Sequence, residues 1–241
     1  MKQNIGSLFD RIAGHYDRLN HLLSLNADRR WRRVAVRGMQ PAEQVLDVAI
    51  GTADLTIELL RSNKAQHITG IDLSPAMMAI GKKKVNENRN ENGNENGGSD
   101  HTGKNGNVVF MQANALEMPF ADGTFDAVTS SYGVRNFSDL DQGLREMYRV
   151  LRSGGELMIL ELSYPTNRLI AWGYDVYFSH ILPWIGRIIS HDKTAYTYLN
   201  KSVKHFIWGE EMCEHIRAVG FQNVRHQALT FGISTIYRAV K

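Results

Sequence analysis

Apolar residues recur along this chain with two periods, one typical of helices and one typical of strands. Near the N-terminus they lie three or four positions apart, on one face of a predicted amphipathic helix; they are Phe9, Ile12, Ala13, Tyr16, Leu19 and Leu23. After Pro41, short β-prone apolar runs predict strands over residues 44–49, 67–72, 107–113, 125–131 and 155–162. Helical patterns lie between most of them, over residues 54–61, 75–85 and 140–151.

Strands that alternate with helices predict βαβ units, and therefore an α/β fold built on a mostly parallel sheet. The last segment, from Phe221 to Lys241, has two β-prone halves that meet near Phe231 and Gly232, too close together for a crossover helix. It predicts an antiparallel C-terminal hairpin, which brings the sheet to seven strands. Ligands of such sheets bind at the carboxyl ends of the strands.

We interpret residues 1–241 as a single domain with three special segments. Residues 1–40 predict an N-terminal helical lid. Residues 86–107 contain eight Asn and five Gly, a composition that predicts a flexible surface insertion. Residues 165–206 are rich in Trp and Tyr and predict an aromatic insertion that covers the substrate, with ordinary core packing as the alternative.

Charge and cysteine content narrow the functional classes. The net charge of +3 is too small for a global field that would bind nucleic acid. The basic run from Arg29 to Arg37 is either a solvated helix end or a contact with an anionic membrane. Cys213 is the only cysteine, which excludes an internal disulfide and argues against a thiolate metal site. Because the sequence has no secretory apolar run and no apolar stretch of about 18 residues, we expect a cytoplasmic protein whose membrane contact is peripheral.

The loop after the first predicted strand has the features of a nucleotide site. In VLDVAIGTADL, Asp47 lies at the end of the strand and Gly51 lies in a tight turn before a helix. Backbone N–H groups and the helix N-terminus can approach a ligand there. The match to the dinucleotide fingerprint is weak, because Ala49 and Ala53 stand where glycines are expected.

Two polar residues at the next strand ends refine this interpretation. Asp72 is placed to accept both ribose hydroxyls of a nucleotide, or alternatively to cap the helix that begins at Pro75. Asn114, followed by the Pro119-Phe120 turn, suits recognition of an adenine amino group, which a nicotinamide enzyme does not need at this position.

The segment around Asn114 resembles the class I S-adenosylmethionine-dependent methyltransferases, which have a Rossmann-like fold. Three further segments resemble the quinone-biosynthesis C-methyltransferases that act on demethylmenaquinone or on a polyprenyl benzoquinol; they are FDRIAGHYDRLNHLLSLNADRRWRR (9–33), SSYGVRNFSD (130–139) and REMYRVLRSGGELMILELSYP (145–165). The resemblance covers nearly the whole chain except the Asn-rich insertion. Three residues depart from the family pattern: Asp28 replaces a histidine, Ala53 a glycine and Asn114 an aspartate.

Carried over by position, the resemblance implies that the cofactor is S-adenosyl-L-methionine. The residues implied to contact it are Thr52, Asp72, Asn114, Ala115 and Ser131. Asp47 and Gly51 are expected to shape the cofactor loop. No metal ion is implied.

The chemistry implied by the resemblance is methylation of a ring carbon beside a quinol hydroxyl. Arg135 is expected to stabilise the charge of the quinolate, directly or through a bound water, while Asn136 and Tyr16 orient the ring. His15 is an alternative base.

The implied reaction is conversion of demethylmenaquinol to menaquinol, because the GTAD loop and Asn114-Ala115 resemble the menaquinone branch of the family. The alternatives are a 2-methoxy-6-polyprenyl-1,4-benzoquinol, another small acceptor, and a scaffold without activity. The expected partners are the polyprenyl quinol, an anionic membrane surface and a second copy of the chain in a homodimer; nucleic acid is not among them.

Overall fold

The sheet of this protein has seven strands in the order β3-β2-β1-β4-β5-β7-β6. The structure is a computed structural model that describes residues 5–94, 106–177 and 202–241. Its strands are β1 (Ala42–Val48), β2 (Ala65–Asp72), β3 (Asn107–Gln112), β4 (Phe125–Ser131), β5 (Leu151–Leu162), β6 (Gln222–Leu229) and β7 (Ser234–Val240). β7 is antiparallel to β5 and β6, and the other neighbouring pairs are parallel. The predicted α/β architecture with an antiparallel C-terminal hairpin is confirmed.

Side chains of successive strand residues point to opposite faces of the sheet. Apolar side chains on both faces pack against helices, so helices cover both faces. The helices are α1 (Ile5–Leu23), α2 (Ala27–Arg37), α3 (Asp54–Arg61), α4 (Pro75–Asn94), α5 (Leu140–Val150), α6 (Arg168–Val176) and α7 (Glu210–Val219). Val45 of β1 belongs to an apolar cluster with residues of α2, α3 and α4. Leu46 belongs to a second cluster with residues of α5 and α7. None of the described helices is long and apolar enough to span a membrane.

Helix α4 is longer than its apolar pattern predicts, and it continues to Asn94. The interpretation of residues 86–107 as a flexible insertion is therefore wrong for its first part. Asn88 is only 5% exposed, and its Oδ1 accepts a hydrogen bond of 2.7 Å from Arg61 Nε. The side-chain amide of Asn88 can be buried because it is hydrogen-bonded, and amino-acid composition does not reveal such a bond. Residues 95–105 lie outside the described part of the chain.

The segment predicted as an N-terminal lid contains two helices with different surroundings. Helix α2 packs into the main core through Trp31, Ala35 and Val36, each less than 5% exposed. The indole Nε1 of Trp31 donates a 2.7 Å hydrogen bond to Thr230 Oγ1 in the β6–β7 turn. Only α1 is placed as a lid would be, over the carboxyl edge of the sheet.

The basic run of α2 divides between the core and the surface. Arg32 is buried, and its guanidinium pairs with Asp28 at 2.6 Å and with Asp54 at 3.3 Å. Its inclusion in a membrane-facing cluster is therefore wrong. The other four arginines of this run are exposed and fall on one helical face, since about 100° separates successive residues; they are Arg29, Arg30, Arg33 and Arg37.

Candidate active site

A cavity of about 890 Å³ opens at the carboxyl ends of β1, β2 and β4, where the sequence predicts the ligand. Its volume lies within the usual range of small-molecule sites. Helix α1 forms one wall through Gly6, Phe9 and Tyr16. The remaining lining residues are Ala49, Gly51, Ile71, Asp72, Leu73, Met77, Ala113, Asn114, Ala115, Leu116, Ser131, Tyr132, Gly133, Asn136, Phe137 and Ser138.

The loop between β1 and α3 contains three residues with left-handed backbone, Ala49 (φ 59°), Gly51 (φ 54°) and Ala53 (φ 63°). Glycine adopts this conformation without steric cost, whereas alanine does so with strain. The two alanines that weaken the fingerprint therefore occupy glycine-like positions. The loop keeps the backbone path of a nucleotide turn although its sequence departs from one.

Asp72 lies on the cavity wall and already organises the loop around it. Its Oδ2 accepts a 2.9 Å hydrogen bond from the Gly51 amide, and its Oδ1 accepts a 2.8 Å bond from the Ser74 amide. The N-terminus of α4 is capped by Ser74 Oγ, which accepts from the Met77 amide at 3.2 Å. Burial raises the pKa of Asp72, although the hydrogen bonds that it accepts from backbone N–H groups lower this pKa. A carboxylate in this situation is stabilised by further donors, and two ribose hydroxyls are such donors.

Asp47 lies beneath the cavity and is absent from its lining. Its side chain is 1% exposed and accepts hydrogen bonds from Thr56 Oγ1 at 2.6 Å and Thr129 Oγ1 at 3.2 Å. It therefore fixes the end of β1 to α3 and β4, as a loop-shaping residue would. Burial raises its pKa to about 7.

This raised pKa predicts a pH-dependent stability, because ionisation of Asp47 is penalised only in the folded chain. Between its ordinary pKa of 3.8 and about 7, the folded state binds more protons than the unfolded state, so stability falls as pH rises. Relative to an Asp47→Asn variant, the wild-type free energy of unfolding should fall by about 1.4 kcal/mol per pH unit in this window and level off above it. Chemical denaturation at several pH values measures this difference, and a constant difference would contradict the assignment.

Asn114, Ala115 and Ser131 all line the cavity, as the resemblance implies. The Asn114 Oδ1 accepts a 3.0 Å hydrogen bond from the Leu116 amide, which leaves its Nδ2 donors for a ligand. Ser131 Oγ is buried and, within the described residues, has no hydrogen-bond partner. An orphaned hydroxyl on a cavity wall is the kind of group that a polar ligand satisfies. These residues fit a nucleoside-type cofactor.

Thr52 is buried and is not among the lining residues. Its Oγ1 donates a 2.6 Å hydrogen bond to Asp17 Oδ1, and the second oxygen of Asp17 accepts a 2.7 Å bond from Lys84. Lys84 also pairs with Asp54 at the start of α3. Helix α1 is thus attached to the cofactor loop and to α4 through one carboxylate.

The segment after β4 forms a tight turn whose first residue, Tyr132, has φ 61°. A Cβ at Gly133 would lie 2.6 Å from the Ala49 Cβ, so only glycine lets this turn approach the cofactor loop. Arg135 Nη1 donates to the Tyr132 carbonyl at 2.5 Å and to Glu161 Oε1 at 2.6 Å. Asn136 lines the cavity and donates from Nδ2 to the same carbonyl at 3.3 Å.

Arg135 is not among the cavity-lining residues, and its ion pair with Glu161 is almost fully buried, with side chains 5% and 1% exposed. The second oxygen of Glu161 accepts from the Arg135 amide at 3.2 Å. The pair is formally neutral, so it presents less positive charge to a quinolate than the sequence suggests. Its contacts instead hold the turn that carries Asn136.

Tyr16 is the α1 residue that the resemblance assigns to orienting the acceptor ring. It lines the cavity, and its ring packs edge-on against Phe9 at a centroid distance of 6.0 Å. Burial raises its pKa, while the Arg135 guanidinium acts in the opposite direction. The phenol therefore remains protonated near neutral pH and can donate a hydrogen bond. The side chain of His15, the alternative base, lies outside the described part of the chain.

Two site residues escape the sequence interpretation. Glu161 lies between Leu160 and Leu162 at the end of the apolar strand run of β5, and an acid flanked by apolar residues signals a buried partner, although the sequence does not say which. Asp10 accepts hydrogen bonds from Ser74 Oγ at 2.5 Å and the Ala76 amide at 3.3 Å, so α1 also caps α4. The amphipathic pattern of α1 does not predict this contact of Asp10 with α4.

Comparison with known proteins gives a consistent result. The family model described as "ubiE/COQ5 methyltransferase family" matches residues 1–241. A protein of Porphyromonas gingivalis named demethylmenaquinone methyltransferase is 43% identical, over 99% of this chain and 93% of its own length. A protein of Geobacter sp. strain M21 named ubiquinone/menaquinone biosynthesis C-methyltransferase UbiE is 42% identical, over 99% and 97%.

Among solved structures, a methyltransferase of Thermotoga maritima described as dependent on S-adenosylmethionine superposes with a TM-score of 0.66. The similarity covers 99% of this chain and 100% of that one at 17% sequence identity. At this identity the likeness concerns the fold alone.

Proposed function

The chain belongs to the ubiE/COQ5 methyltransferase family, and on this premise we propose that it transfers a methyl group from S-adenosylmethionine to demethylmenaquinol, yielding menaquinol. The relatives named demethylmenaquinone methyltransferase support the acceptor. The observation that carries the proposal is the cavity, which brings Asp72, Asn136 and Tyr16 to one space at the carboxyl edge of the sheet.

The cofactor side of the cavity is formed by β1, β2 and the segment after β3. Asp72 is proposed to accept the ribose hydroxyls, Asn114 and Ala115 to contact the adenine, and Ser131 Oγ to satisfy a further polar group. Asp47 and Thr52 are proposed to act indirectly, by fixing the loop and by joining it to α1. When bound, S-adenosylmethionine supplies an electrophilic methyl group on a sulfonium.

The acceptor side is formed by α1 and the turn after β4. Asn136 and the protonated Tyr16 are proposed to orient the quinol by hydrogen bonds to its hydroxyl groups. Partial loss of the hydroxyl proton to water makes the neighbouring ring carbon nucleophilic. The hydrogen on that carbon leaves as a proton when the methyl group replaces it, and a water-poor space favours a reaction in which charge is neutralised. Arg135 acts as a positioning residue, because it holds the turn through the Tyr132 carbonyl and Glu161.

The acceptor can be tested by removing the protein from its host and analysing the quinones. Loss of this chain should cause demethylmenaquinone to accumulate, and re-expression of the wild type, but not of Asp72→Ala, should restore menaquinone. Mass spectrometry of the extracted quinones measures both. Accumulation of a polyprenyl benzoquinone precursor would favour the alternative acceptor, and an unchanged quinone profile would contradict the proposal.

A polyprenyl quinol resides in the membrane, so we also propose that this protein is cytoplasmic and contacts the anionic inner membrane surface peripherally. The exposed arginines in the first turn of α2, Arg29 and Arg30, support this proposal, because basic residues near anionic lipids contribute about 1 kcal/mol each. A homodimer remains a proposal on the sequence alone.

A further inference from the structure

Four large apolar side chains are exposed around the β5–β7 end of the sheet, at the same carboxyl edge as the cavity. Leu25 is 77% exposed, Leu169 75%, Trp172 66% and Phe231 75%. We refer to these four residues as the apolar rim. Exposed apolar groups that lie close together on a protein surface mark contacts with another protein or with lipid.

The rim residues belong to different segments that the fold holds together. Ser163 Oγ, just after β5, donates a 2.8 Å hydrogen bond to the Gly232 carbonyl, which fixes the β6–β7 turn to the end of β5. Gly232 also lies against Pro165, because a Cβ there would be 3.6 Å from the Pro165 Cα. Helix α6 begins three residues later, and its Leu169 and Trp172 are one turn apart on the same exposed face.

Helix α2 joins this surface through its first turns. The hydrogen bond from Trp31 to Thr230 places the N-terminal half of α2 beside the β6–β7 turn. The other end of the helix lies at the opposite edge of the sheet, where the Gln40 amide donates to Glu156, the residue at which β5 begins to pair with β7. Arg29 and Arg30 therefore adjoin the rim, whereas Arg37 lies about 12 Å further along the helix axis than Arg29.

Two of the four rim residues, Leu25 and Phe231, have an unfavourable backbone conformation. Thr230 and Phe231 have φ values of 45° and 60°, and Leu25 has φ 51°. Left-handed backbone is strained in residues other than glycine. Because Phe231 and Leu25 are exposed, the fold also lacks the free energy that their burial would contribute. Strain combined with exposed apolar surface indicates a functional contact rather than a passive loop.

We propose that the apolar rim inserts into the interface of an anionic lipid bilayer, with Arg29, Arg30 and the exposed Arg168 at the level of the headgroups. The charge complementarity selects lipid over a second copy of this chain, since two basic surfaces repel each other. The contact would place the carboxyl edge of the sheet against the membrane. The need for such a contact rests on the proposed function, because a polyprenyl acceptor must reach the cavity from the bilayer.

Vesicle binding with paired variants tests this surface. The full chain is sedimented with vesicles of phosphatidylcholine containing phosphatidylglycerol, and with phosphatidylcholine alone. We expect binding to the anionic vesicles that falls at high salt. Phe231→Asn should weaken it about tenfold or more, because burial of one aromatic side chain is lost. Asparagine tolerates the left-handed backbone, so the turn is retained.

Each substitution has a matched control elsewhere on the surface. Val109→Asn is the control for Phe231→Asn, because it also removes an exposed apolar side chain. Val109 is 47% exposed and lies on the edge strand β3, at the other side of the sheet. Arg37→Glu controls for the charge reversal in Arg30→Glu, which should weaken binding about tenfold. Absence of wild-type binding, or equal losses in a variant and its control, would overturn the proposal. So would a wild-type dimer by light scattering that Phe231→Asn converts to a monomer.

A second measurement separates the surface from the chemistry. Phe231→Asn should methylate a demethylmenaquinol analogue without a prenyl tail, in solution, as fast as the wild type, and should be impaired only on quinol embedded in vesicles. Equal impairment on both acceptors would overturn the docking role of Phe231. A wild type that binds vesicles but methylates neither acceptor would instead overturn the proposed function.

Discussion

Replacing Asp72 by alanine is expected to weaken S-adenosylmethionine binding by about 100-fold or more, because hydrogen bonds to a charged group contribute about 1.5–3 kcal/mol each and two ribose hydroxyls lose their acceptor. The Gly51 and Ser74 amides lose their acceptor as well, so the loop is less ordered before the cofactor binds. Isothermal titration calorimetry with S-adenosylmethionine measures the change.

Asp10→Ala is the matched control for this prediction, because Asp10 also supports the N-terminus of α4 but does not line the cavity. Its effect on cofactor affinity should stay within a few-fold. If both variants bind the cofactor equally poorly, Asp72 acts mainly by supporting the helix. Unchanged affinity in Asp72→Ala would remove it from the cofactor site.

The second large effect is expected at Arg135, where Arg135→Gln should lower kcat about 100-fold while cofactor affinity changes by less than about threefold. The variant leaves Glu161 buried without its guanidinium, which typically costs about 3–5 kcal/mol of stability. Turnover with demethylmenaquinol, calorimetry with S-adenosylmethionine and urea denaturation measure the three quantities.

The double variant Arg135→Gln/Glu161→Gln separates catalysis from folding. Removal of both charges should recover most of the stability, because no buried ion remains unpaired. Turnover should stay low, since the turn that carries Asn136 lacks its tie to β5. Full recovery of turnover would mean that Arg135 contributes only stability, and equal losses of turnover and cofactor affinity would point to general disruption of the cavity.

The central strands could be predicted from the sequence because β1, β4 and β5 are largely buried and form short apolar runs. β4 matches its predicted bounds, and β2 begins two residues early. β5 begins four residues before the predicted Gly155, because the polar stretch after Leu151 has no apolar signal although Leu151 pairs with Phe125. The end of α4 is missed for the same reason, since a hydrogen bond to Arg61 stabilises a polar helical residue.

The sequence predicts the site best where a residue lies directly at the end of a strand. Asp72 and Asn114 lie where their strands place them, and both line the cavity. The sequence predicts that Arg135 stabilises the quinolate, whereas the structure places its guanidinium against Glu161, 26 positions away in the sequence. Periodicity carries no information about such a tertiary pairing. The same limit explains why the sequence does not predict the hydrogen bond between Thr52 and Asp17.

The attachment of α1 by Asp10 and Asp17 has a kinetic consequence. Both ligands of the proposed reaction would occupy a space of which this helix forms one wall, so we expect departure of the demethylated nucleoside and arrival of the next quinol to involve displacement of the same segment. The two exchange steps are therefore coupled, and their common rate depends on carboxylate contacts remote from the reacting carbon.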